Sequence, residues 1–100
     1  MEKYNFETLS TLLGQTLRTR VDDTEVEVEI LDVARTATHG DKWDAFALYL
    51  KHQNDDVMFN QGIYEFSHPE LGTAQLFVSP NSHEELEIIF SRRIQPQSEQ

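Results

Sequence analysis

The stretch that most restricts what this chain can fold into is Gln61 to Val78, Gln-Gly-Ile-Tyr-Glu-Phe-Ser-His-Pro-Glu-Leu-Gly-Thr-Ala-Gln-Leu-Phe-Val. Tyr64 and Phe66 alternate with Ile63 and Glu65, and Leu76 and Val78 alternate with Gln75 and Phe77. A period of two is the mark of a strand with two unlike faces. Between the arms lies Ser67-His68-Pro69-Glu70-Leu71-Gly72. Proline pre-sets φ for the second position of a turn, and Gly72 can take φ > 0 where the chain re-enters a strand. His68, Pro69 and Gly72 are therefore the expected structural residues of this turn. The His68 ring, just before the proline, is placed to bond backbone groups and hold it. The stretch predicts one β-hairpin to which other strands add.

The rest of the chain supplies those strands. Asn5 to Leu13 reads as a short helix, N-capped by Asn5, with Phe6, Leu9, Leu12 and Leu13 on one face and Gly14 as its stop. It is too short to persist alone, so it is expected to cover an open end of the sheet. Gln15 to Val21 predicts a strand with Leu17, Thr19 and Val21 on one face and Arg18 and Arg20 on the other. Asp22-Asp23 turns the chain into a long strand, Thr24 to Ala37. There Val26, Val28 and Ile30 face in and Glu25, Glu27 and Glu29 face out. The phase then shifts to Leu31 and Val33, which predicts a bulge or corner with Leu31 turned inward. Trp43 to Lys51 is apolar on both faces and reads as a central strand. Glu84 to Ile94 is the last strand, with Leu86, Ile88 and Phe90 inward and Glu85, Glu87 and Ile89 outward. The fold class is mainly β: a small antiparallel β-barrel or barrel-like sandwich of about six strands with one short N-terminal helix.

At 100 residues the chain is expected to form one domain, 1–94, with 95–100 as a disordered tail that contains Pro96 and no apolar residue. Hydrophobic residues make up 38%, enough for a globular core rather than a disordered chain. No window approaches the roughly 18 apolar residues of a membrane span, and the start lacks a basic segment followed by an apolar run. A cytoplasmic location is the resulting expectation. The absence of cysteine excludes disulfides and cysteine-based zinc sites. A formal charge of −10 argues against nonspecific binding to nucleic acid or an anionic membrane and permits a basic partner.

Several residue groups bear on chemistry. His39, His52, His68 and His83 each fall in or beside a loop; converging loops could form a metal site with Asp41, Asp55 or Asp56. Their scattered spacing favours separate loop residues instead, so no metal and no cofactor are expected. Glu25, Glu27 and Glu29 share one outward face, as Glu85 and Glu87 do, but a glycosidase needs a cleft between its carboxylates. Arg18 and Arg20 lie where cross-strand ion pairs to that glutamate row are expected. No phosphate loop, serine elbow or cysteine nucleophile occurs.

A resemblance joins these readings. Asn60-Gln61-Gly62-Ile63-Tyr64, His68-Pro69-Glu70-Leu71-Gly72 and Leu76-Phe77-Val78-Ser79-Pro80 together resemble DUF6916, a family of small bacterial proteins of unknown function. Phe6-Glu7-Thr8-Leu9 through Leu13-Gly14-Gln15-Thr16-Leu17 resembles the family's opening, and Ala45-Phe46-Ala47-Leu48-Tyr49-Leu50 one of its strands. The likeness extends to about Phe90 and departs at Lys51 to Phe59, where relatives are richer in glycine and proline. The resemblance implies no chemistry. It does imply a setting, gene clusters of phage-tail-collar-like proteins.

The functional expectation is a non-catalytic protein-interaction or assembly module, accessory to a phage-tail-like or surface structure. Its interface is expected to be an apolar patch of Trp43, Tyr49 and Phe59 rimmed by carboxylates. The occupant would be a protein partner or a second copy of the chain. Two alternatives stand beside it. One is an acidic DNA mimic that occupies a DNA-binding protein through the Glu25, Glu27 and Glu29 row. The other is a small metal-dependent enzyme built on the loop histidines.

Overall fold

In the computed structural model, which describes residues 3–35, 43–54 and 57–93, six antiparallel strands close into a barrel. In chain order the elements are α1 (Phe6–Ser10), β1 (Thr16–Val21), β2 (Thr24–Arg35), β3 (Trp43–Lys51), β4 (Gly62–His68), β5 (Gly72–Pro80) and β6 (Glu85–Arg93). Around the barrel the order is β1-β2-β3-β6-β5-β4, with β4 returning to β1. The β3–β4 connection therefore passes β6 and β5 across one end of the barrel. Closure leaves the sheet without a free edge.

Local chemistry sets the turns. Asp22 and Asp23 both take positive φ, 49° and 66°, between the paired residues Val21 and Thr24. Two left-handed positions match the right-handed twist of the flanking strands, and aspartate tolerates them. In the β4–β5 turn Pro69 occupies the second position, the Leu71 N–H donates to the His68 carbonyl at 3.1 Å, and Gly72 takes φ +79°.

Alternation fills the interior. Leu17, Val26, Val28, Ile30, Leu48, Leu50, Phe66, Leu76, Val78, Leu86 and Ile88 are all buried in one cluster. Fully burying such a side chain stabilises by about 1.5–3 kcal/mol. Phe46 stacks on Phe90 with ring centroids 4.6 Å apart, and Phe6 of α1 meets Phe46 edge-on at 5.9 Å. The guanidinium of Arg35 lies 4.3 Å over the Phe6 ring. Thus α1 closes the end where β2 leaves the barrel.

Two expectations change. The helix ends at Ser10 rather than Leu13. The Ser10 and Thr11 hydroxyls donate to the Phe6 and Thr8 carbonyls, both at 2.6 Å, an alternative bonding pattern that draws the chain out of the helix. Leu13 is consequently exposed rather than on the docked face. In β2 the register shifts between Ile30 and Asp32, so a bulge is present, but Leu31 is the residue it pushes outward. Ile30 and Val33 are the buried pair that flanks it. The predicted strand end at Ala37, Ile94, and the tail 95–100 lie outside the described residues.

Candidate functional site

The histidines resolve first. At the α1 end of the barrel, His68 Nδ1 accepts from the Glu70 N–H at 3.0 Å, so its Nε2 carries the proton and donates to Gln15 Oε1 at 3.0 Å. At the opposite end, His52 uses the same tautomer. Its Nδ1 accepts from the Asn54 N–H at 3.3 Å and its Nε2 donates to the His83 carbonyl at 2.9 Å. Both rings are buried, and each ties a loop to a distant strand end or turn. His39, Asp41, Asp55 and Asp56 lie outside the described residues. Among the described residues no three His, Asp or Glu side chains are grouped to hold a metal ion.

An open groove of about 680 Å³ runs along the β1–β4 seam, lined by Gln15, Arg18, Glu27, Ser67 and His68 among others. Its charged and basic groups are engaged. Both His68 nitrogens are bonded, and Arg18 reaches Glu25 and Glu27 at 3.6 Å each. Those exposed ion pairs are worth at most about 1 kcal/mol, but they put a cation inside the glutamate row.

The expected patch of Trp43, Tyr49 and Phe59 does not assemble as such. Phe59 is a core residue, 5% exposed. The β3–β4 connection folds back over the barrel end, so the Phe59 ring packs 5.0 Å from His52 and 5.1 Å from Tyr64. Tyr64 fixes that approach: its hydroxyl donates to the Asn60 carbonyl at 2.8 Å and accepts from the Asn60 N–H at 2.9 Å. Tyr49 is half-buried on the outer face of β3. Trp43 begins β3, and its side chain lies outside the described residues.

The exposed apolar surface is elsewhere. Ile63 is 68% exposed, Phe77 49% and Ile89 53%. Ile63 pairs directly with Phe77 across β4 and β5. β5 and β6 pair at Ser79–Glu87 and Pro80–Leu86, and Phe77 and Ile89 each lie two residues beyond that paired segment on these neighbouring strands. Ile89 in turn pairs with Ala47, and Ala47 with Ala34. Ile63, Phe77 and Ile89 thus form the exposed apolar part of the outer face of β4, β5 and β6, and it stops at Ala47, which is buried. Carboxylates and amides flank it. On one side lie Glu65 and Gln75, which pair with each other; on the other lie Ser79, Glu87, Tyr49 and Asp32 in successive register.

Strand alternation turned Ile89 outward and set Ile63 and Phe77 on the faces opposite Tyr64 and Leu76. What the sequence did not show is that the barrel order makes β4, β5 and β6 neighbours and so gathers the three on one side of the barrel. Their aromatic and β-branched types suit a strand equally well on either face.

A family model described as a domain of unknown function, DUF6916, matches residues 4–90. No curated protein and no solved structure matches the chain.

Proposed function

Starting from a chain that belongs to the DUF6916 family, we propose that this domain is a non-catalytic protein-interaction module that binds through the outer face of β4, β5 and β6. The observation that carries the proposal is the exposed row Ile63, Phe77 and Ile89. Three large apolar side chains aligned across adjacent strands, with polar residues on both sides, have the layout of an interface centre and rim. The histidines support the same reading, since His52 and His68 commit their ring nitrogens to holding loops. An accessory or assembly role in a larger tail-like or surface structure is the setting we propose for such a module.

Photo-cross-linking tests this. A benzophenone side chain is placed at position 77, at position 89, or at Thr24, the exposed first residue of β2, in cells that make the protein. Positions 77 and 89 should give the same discrete protein adduct, and position 24 should not. Equal labelling from all three positions, or no adduct from the row, would overturn the proposal.

A further inference from the structure

We infer that the occupant of the Ile63, Phe77 and Ile89 row is a cationic amphipathic helix of another protein, not a second copy of this chain. The inference rests on reading the row as a docking surface and adds the partner's chemistry.

Charge excludes self-pairing. A two-fold dimer brings one surface patch against itself. Here Glu65 lies beside Ile63 on the outer face of β4, and Glu87 lies beside Ile89 on that of β6. Asp32 continues the Glu87 flank beyond Tyr49. Pairing the row with itself would bring these carboxylates together in a chain of formal charge −10. On β1, Arg20 stands next to Glu65 and lines the same groove, whereas among the described side chains no lysine or arginine stands in the Glu87 and Asp32 row. Lys51 lies one row further out, in register between Glu29 and Glu85. Arg18 is held between Glu25 and Glu27, and Arg35 lies over Phe6. A partner rimmed by Lys or Arg meets the flanking carboxylates with complementary charge, which raises its association rate and disfavours acidic competitors.

Spacing selects a helix. Ile63 and Phe77 sit opposite each other on paired strands, so they step by about 4.8 Å, the distance between neighbouring strands, and Ile89 follows on the next strand. Apolar residues at i, i+3 or i+4, and i+7 of an α-helix step by about 5 Å along the axis. A helix laid along the row would set one apolar residue against each step. Alternate residues of an extended segment step by about 6.6 Å and drift out of phase.

The test uses the full chain, isotope-labelled, and three synthetic helical peptides with leucine at i, i+3, i+4 and i+7. Their remaining positions are Lys, Gln or Glu. The Lys peptide should shift the amide signals of residues 63, 77 and 89 and bind at least tenfold more tightly than the Glu peptide. The double variant Glu65→Lys/Glu87→Lys, altered only at outward positions, should reverse that preference. Equal binding of the Lys and Gln peptides would leave the docking surface standing and overturn the cationic partner. Lys-peptide shifts confined to the Glu25, Glu27 and Glu29 face would overturn it as well. A failure of all three peptides to perturb the row would count against both readings. Dimerisation of the unmodified chain in sedimentation, abolished by Phe77→Thr, would make a second copy the occupant.

Discussion

The Tyr4 hydroxyl donates to the Gly72 carbonyl at 2.8 Å, joining residues 68 apart in sequence. The same oxygen lies 3.3 Å from the Phe66 carbonyl. Tyr4 is fully buried, so the segment that precedes α1 is pinned to the β4–β5 hairpin from inside the barrel.

Burial pushes the Tyr4 phenol from its ordinary value of about 10 up to about 12. The folded chain therefore keeps a proton that the unfolded chain releases first. Its contribution is fully present below pH 10 and is lost as pH rises from about 10 to about 12. Denaturation followed across this range should show the decline, and Tyr4→Phe should flatten it. At neutral pH Tyr4→Phe should cost about 1 kcal/mol through the lost hydrogen bond.

His68 and Gln15 should behave as a coupled pair, since His68 Nε2 donates to Gln15 Oε1. Alanine at either position leaves a polar partner unpaired, so the double variant should lose less than the sum of the singles. A cycle measured by urea denaturation is expected to give a coupling of about 0.5–1.5 kcal/mol.

Gly72→Ala should destabilise by about 1–2 kcal/mol, because the position sits at φ +79°. An added Cβ meets no atom within 4 Å, so the cost is in the backbone alone. Gly72→Asn, which tolerates the left-handed region better, should cost less in the same urea experiment.

Leu31→Thr should cost under about 1 kcal/mol, whereas Leu48→Ala should cost about 2–5 kcal/mol. The comparison separates a bulged, outward residue from a core one in strands that pair with each other.

Much of the barrel was legible because its signals are local. β3 runs from Trp43 to Lys51 as its continuous apolar pattern implied, and His68, Pro69 and Gly72 sit in a turn whose chemistry is written in five consecutive residues. The misses arise where local and distant signals compete. Leu31 and Val33 look equivalent to Ile30 by hydropathy, and only the register against β3 decides which is extruded. Phe59 reads as a loop aromatic until the crossing of the barrel end brings it under His52 and Tyr64. The exposed group itself needs three neighbouring strands, of which the sequence supplied only the β4–β5 hairpin.

On the proposed function, Ile63, Phe77 and Ile89 serve binding and not folding. Replacing all three by threonine retains strand propensity while removing the apolar row. Stability by urea denaturation and affinity for the Lys peptide should be measured on that one triple variant. The account predicts a loss of no more than about 2 kcal/mol in stability, most of it from the exposed Ile63–Phe77 pair, and at least a tenfold loss of affinity. Unchanged affinity, or a chain that no longer folds, would contradict it.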